Sequence, residues 1–149
     1  MALTNTLDLA AFIPYQLSIA SNAVSDRIAR HYQTRFGLKI PEWRLMAVLG
    51  QGTAMTQREL VGATRMDKVT VSRASAALVE RGLIARAASE SDGRSHHLAL
   101  TTAGAALYAE IAPAALAMEQ ALLATLSADD RARLSDLLAR LREAADEAI

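Results

Sequence analysis

The sequence predicts a mainly α-helical protein carrying one small β-hairpin. Composition is the first reason: 52% of residues are hydrophobic, and Ala and Leu supply much of that, which favours helix over sheet. The second is a series of segments whose apolar residues recur at helical spacing between cap and stop residues. The third is a single run–turn–run stretch, "LIARAASESDGRSHHLAL", centred on Asp92-Gly93, a strong hairpin signal.

Taken in order, a first long helix is expected over about Pro14 to Phe36, ended by Gly37. Leu17, Ala20, Val24, Ile28 and His31 fall on one stripe of it. A second helix starts at Pro41, whose fixed φ suits a first helical position, and runs through "PEWRLMAVLG" to Gly50. "TQREL" reads as a capping box, with Thr56 accepting from the Glu59 backbone and Glu59 reaching back to the Thr56 amide. This third helix is short and ends near Ala63 or Thr64.

Asp67 is a good N-cap for a fourth helix that runs to about Arg81, with Gly82 as its terminator. Projected at about 100° per residue, Val71, Ala74, Ser75 and Leu78 fall on one side, and Lys68, Val69, Ser72, Arg73 and Ala76 on the other. After the hairpin, Thr101 caps a fifth helix over about Thr102 to Leu126, with Pro113 placed to kink it. Ser127 with Asp130 opens a sixth helix, in which Leu134, Leu137, Leu138 and Leu141 recur at helical spacing.

At 149 residues the chain is one domain, or one domain with an appended assembly segment. With no cysteine, disulfides, thiolate metal sites and a cysteine redox switch are excluded. No signal region opens the chain and no apolar run is long enough to cross a bilayer, so the expected location is the cytoplasm. Net charge is zero, yet its distribution is uneven. Residues 1–55 hold five Lys/Arg against three Asp/Glu, residues 56–100 hold seven against five, and residues 101–149 hold four against eight. An acidic tail offsets a mildly basic front and middle, which is compatible with a local basic surface.

Two short helices joined by a tight turn have the proportions of a helix-turn-helix, and the hairpin that follows makes the order that of a winged helix. In such a fold the second short helix lies in the DNA major groove and the wing reaches a neighbouring groove. Lys68 and Arg73 can reach phosphates or guanine edges, while Thr70 and Ser72 can hydrogen-bond to backbone or base. The amides at Thr56 and Gln57 can bind phosphate. Arg94 at the hairpin tip has little structural work and suits a narrow minor groove, with Asp92 paired to it across the turn. Each feature alone also has a plainer account, a solvated helix face and a loop ion pair; the succession of elements favours the DNA-binding one. The alternative is a winged helix used only for protein–protein contact.

"LVERGLIAR" followed by "SDGRSHHLALTTAG" resembles the wing signature of the MarR (multiple antibiotic resistance regulator) family. In that pattern an Asp-x-Arg wing tip leads into a strand ending Leu-Thr-x-x-Gly, matched by Asp92, Arg94, Leu100, Thr101 and Gly104. "TQRELVGATRMDKVTVSRASAALVERGL" is similar to the family's helix-turn-helix in length and spacing. The resemblance covers the whole chain in element order, with its specific motifs between about Thr56 and Gly104. It implies a transcriptional regulator, most often a repressor, built as a homodimer whose first, fifth and sixth helices intertwine to place two winged helices on a pseudo-palindromic double-stranded operator. On it, residues 1–149 form one such domain, with dimerisation helices at 8–37 and 102–149 and a winged helix-turn-helix lobe at 41–101. Asp67 to Arg73, Val69 included, then belong to the recognition helix and Arg94 to the wing. Gly93 stands where a second arginine is common, and Val69 and Val71 make the helix less polar than in many members.

The resemblance also implies a small-molecule pocket between the dimer helices and the DNA-binding lobe, often for an anionic aromatic effector. Five of the six aromatics lie in the first 43 residues. Tyr15, His31, Tyr32, Trp43 and Arg44 are the candidate walls and polar anchors; singly, each also fits a core or surface role. Metal binding is not expected, because His96 and His97 are adjacent on a strand and point to opposite faces. No Ser/His/Asp, paired-carboxylate or phosphate-loop pattern occurs at a useful spacing, so neither an enzyme nor a cofactor is expected.

Overall fold

A computed structural model of the chain describes residues 6–88 and 96–147. Six α-helices and two strands follow a single turn of 3-10 helix, Leu9–Ala11. They are α1 (Ile13–Phe36), α2 (Ile40–Leu49), α3 (Gln57–Thr64), α4 (Lys68–Glu80), β1 (Ile84–Ala88), β2 (His96–Leu100), α5 (Thr102–Leu122) and α6 (Ala128–Glu147). The chain divides into two compact units, residues 1–111 and 112–149, with the boundary inside α5.

In the first unit the caps act where the sequence places them. Gly37 adopts the left-handed conformation, φ 64°, and ends α1, with its amide on the Gln33 carbonyl. The Arg81 guanidinium then covers the same helix end, donating to the carbonyls of Phe36 at 3.3 Å and Gly37 at 3.1 Å. Leu38, Leu45, Met46, Leu60, Val71, Leu78, Ile84, Leu98 and Ile111 are fully buried and form the core over which α2, α3, α4 and the hairpin assemble. Glu42, buried at the start of α2, accepts from the Lys39 amide at 3.2 Å.

The strands pair antiparallel from Ile84↔Leu100 to Ala88↔His96. The sequence did not disclose a third partner: Met55 and Leu98 exchange two backbone hydrogen bonds, at 3.0 and 2.7 Å, which pins β2 to the residue before the α3 cap. The residues between the strands, including the expected Asp92-Gly93 turn and Arg94 at its tip, lie outside the described residues.

Thr101 caps α5, accepting from the Gly104 amide at 3.0 Å while its hydroxyl donates to the Gly82 carbonyl at 2.6 Å. Gly104 is needed here because a Cβ would sit 1.9 Å from the Leu83 carbonyl oxygen. Pro113 lies inside α5 without ending it, and leaves the Ala109 carbonyl without its usual amide donor. α5 stops at Leu122 rather than near Leu126. In the second unit, the Leu126 amide turns onto the Leu123 carbonyl, and Arg131 donates to that same carbonyl at 2.8 Å. Ser127 caps α6 by accepting from the Asp130 amide at 3.1 Å.

Candidate nucleic-acid interface

The helix-turn-helix closes through a small set of polar contacts. Thr56 accepts from the Glu59 amide at 3.1 Å. The Glu59 carboxylate does not reach back to the Thr56 amide as the capping-box pattern predicts, but takes the Thr56 hydroxyl proton at 3.3 Å. In the turn, the Thr64 hydroxyl donates to the Leu60 carbonyl and accepts from the Met66 amide. Arg65 takes the left-handed conformation at φ 58°, the one non-glycine residue among those described with a positive φ. A side chain there costs about 1 kcal/mol, which the flanking contacts must offset.

α4 divides as its helical projection requires. Val71, Ala74, Ser75 and Leu78 are buried, while Lys68, Val69, Ser72 and Arg73 are exposed. Among the described residues, neither Lys68 nor Arg73 takes a hydrogen-bond or salt-bridge partner. Two exposed cations are thus left without a partner among the described residues, the arrangement phosphate neutralisation calls for.

Two expected contact residues are already engaged within the chain. The Gln57 side-chain amide donates to the Ser75 hydroxyl at 2.9 Å, and Ser75 donates to the Ser72 carbonyl at 3.0 Å. Gln57 therefore links α3 to α4, which leaves its backbone amide and the second N–H of its side-chain amide as donors. Thr70 gives both its amide, at 2.7 Å, and its hydroxyl proton, at 2.8 Å, to Asp67. Its hydroxyl can then only accept, so it cannot donate to a phosphate while that bond holds. The Thr70 amide and hydroxyl hold the Asp67 carboxyl below its ordinary pKa.

The sequence reading missed Lys39. An open groove of about 270 Å³ is lined by Lys39, Pro41, Glu42, Thr70, Arg73 and Ala74, among others, which sets an exposed ammonium beside the Arg73 side of α4. Nothing in the sequence brings Lys39 to a helix that starts 29 residues later; only the packing of α2 on α4 does so.

The five aromatic-pocket candidates do not converge. Tyr32 is buried and stacks on Trp43 at 4.7 Å and 27°, and His31 meets the Tyr32 ring edge-on at 6.0 Å. Burial raises the Tyr32 phenol pKa. Arg44 is exposed, and Tyr15 lies about 24 Å further along α1 from His31 at the helical rise. A second groove of about 270 Å³, lined by residues including Gly50, Thr53, Leu100 and Tyr108, contains none of the five. His96 and His97 are adjacent on β2. Among the described residues, no cluster of His, Asp or Glu has metal-ligating geometry, and no helix is long and apolar enough to cross a membrane.

A MarR-family model matches residues 36–95, a stretch that begins at the last residue of α1. A protein of Thauera aromatica described as a transcriptional regulatory protein for the hcr operon is 28% identical over 133 residues, covering 89% of this chain and 80% of its own. The crystal structure of a MarR/EmrR family transcriptional regulator from Acinetobacter sp. ADP1 superposes with a TM-score of 0.88 at 25% identity, covering 95% of this chain and all of that one. The PcaV transcriptional regulator of Streptomyces coelicolor, solved with its natural ligand, gives a TM-score of 0.78 at 25% identity over 97% of this chain and 99% of its own. The mainly helical fold with a two-stranded hairpin is the one these regulators share, and they are not enzymes.

Proposed function

The chain belongs to the MarR family of transcriptional regulators, and on that premise we propose that it is a homodimeric, sequence-specific DNA-binding repressor released by a small ligand. The observation that carries this reading is the exposed face of α4, where the side chains of Lys68, Ser72 and Arg73 have no partner among the described residues, on a helix-turn-helix held together from within. Lys68 and Arg73 neutralise phosphates or reach guanine edges, Ser72 contacts the groove, and the amides at Thr56 and Gln57 take a phosphate. Asp92 and Arg94 supply the wing contact by the match to the family's motif.

Two exposed apolar surfaces support the dimer. Leu7, Leu9, Phe12, Ile13, Leu17 and Ile19 are exposed along the first half of α1 and the turn before it. On α6, Leu134, Leu137, Leu138 and Leu141 are each 40–45% exposed. Water does not favour this much exposed apolar surface, and least of all the single α6 stripe, unless a partner covers it. A dimer presents two copies of α4 to a pseudo-palindromic duplex, and filling both half-sites excludes other proteins from that DNA, which is how it represses. The natural ligand of PcaV supports an effector here, and the Tyr32–Trp43 stack with His31 at its edge offers an aromatic wall for one.

Retention of fragmented genomic DNA by the pure protein, at low and moderate salt, tests the reading. The expected result is a retained subset bound by two chains per duplex in sedimentation. No retention at either salt would favour a winged helix used for protein–protein contact. For the effector, a thermal-shift screen of aromatic acids should find a compound that raises Tm; a flat screen counts against release by that class.

A further inference from the structure

Over its first two turns the centre of the exposed face of α4 is apolar, and this bears on which bases it reads. At about 100° per residue, Val69 and Ala76 fall within about 20° of each other, with Lys68 about 100° to one side and Arg73 about 40° to the other. Ser72, about 60° from Val69 on the Lys68 side, and Glu80, about 20° away on the Arg73 side but three turns further along, share this face, so the apolar ground is local to Val69 and Ala76 and the cations flank it there. Val69 is 57% exposed, and the buried core of the helix-turn-helix is complete without it. It also stands in the first turn of the helix, the part of a recognition helix that meets base edges.

An isopropyl group has no hydrogen bond to offer a base. The one apolar group on a base edge in the major groove is the C5-methyl of thymine. Packing against it removes hydrocarbon from water on both sides, whereas facing a guanine or cytosine edge would strip water from polar atoms and return nothing. Resting on the DNA-binding reading above, we infer that Val69 is a specificity-determining residue that packs on the C5-methyl of a thymine in each half-site. The neighbouring hydroxyl fits the same base pair. With its proton held by Asp67, Thr70 can accept from an amino group such as adenine N6 but cannot donate to guanine O6 or N7.

The test begins with operator duplexes recovered by wild-type protein from a randomised pool. Each thymine is then replaced in turn by deoxyuridine, which removes the methyl group and keeps every hydrogen-bonding atom. Wild-type protein is expected to lose about four-fold in affinity per half-site at one thymine position, roughly the worth of one methyl group withdrawn from the interface. Val69→Ser should bind the parent operator more weakly and show no further loss at that position. A wild-type scan that is flat at every thymine overturns the inference while leaving the DNA-binding reading in place. So does a Val69→Ser scan that repeats the wild-type loss. Recovery of no sequence from the pool overturns both.

Discussion

The side-chain amide of Gln57 donates to the buried hydroxyl of Ser75 at 2.9 Å, and this bond joins the first turn of α3 to the middle of α4. Because Ser75 passes its own proton to the Ser72 carbonyl, the two helices share one satisfied polar chain. Gln57→Ala removes one donor and leaves Ser75 half satisfied. It should cost about 1 kcal/mol, read as a lower urea midpoint with unchanged slope. An unchanged midpoint would mean that the bond does not hold the helices in register.

Gly104 is a packing requirement. Its absent Cβ would lie 1.9 Å from a backbone oxygen, that of Leu83, which cannot rotate away as a side chain could. Gly104→Ala should destabilise the protein by about 3 kcal/mol, the upper end for overpacking, seen as a large fall in Tm. A change under about 0.5 kcal/mol would show that the approach relaxes freely.

Asp67 carries a pH signature. Its folded-state pKa is depressed by the Thr70 amide and hydroxyl, so its contribution to stability is present above the unfolded carboxylate value. That contribution is lost as pH falls below about 4, through the lower folded value. Asp67→Asn keeps a capping oxygen and removes the charge. Its Tm should lose less than wild type between pH 5 and pH 3, and its DNA affinity at neutral pH should rise, because an anion has been taken from the helix end that faces the duplex. Equal acid sensitivity in both proteins would contradict the assigned cause.

Arg81 binds the end of α1 to the end of α4. Arg81→Ala exposes the carbonyls of Phe36 and Gly37 and should cost about 1 kcal/mol, a modest value because the side chain is exposed. Arg81→Lys has no planar fork to span both carbonyls, so it should recover only part of that loss. Full recovery by lysine would mean that charge alone does the work.

The sequence disclosed the elements that depend on local chemistry. Asp67, Thr101, Ser127 and Gly37 each cap the helix end their residue type suits, and the buried side of α4 is the one its spacing marks. It did not disclose what depends on neighbours distant in the chain. The Met55–Leu98 bridge, the placing of Lys39 beside Arg73, and the inward turn of Gln57 all join residues at least 18 positions apart. The Thr70 bond is local: a hydroxyl three residues after an Asp cap is within reach of that carboxylate and spends its proton there, which leaves it an acceptor. Of the aromatic candidates, His31, Tyr32 and Trp43 meet, while helical rise alone separates Tyr15 from them.

The claim that α4 carries the phosphate-neutralising side chains is tested most directly by the salt dependence of DNA binding for wild type, Lys68→Ala and Arg73→Ala on one operator duplex. For wild type, the logarithm of affinity should fall linearly with the logarithm of salt concentration. Each variant should bind more weakly and show a slope shallower by about 1 for every phosphate that a bound chain no longer neutralises. Wild-type slope and affinity in both variants would contradict the account.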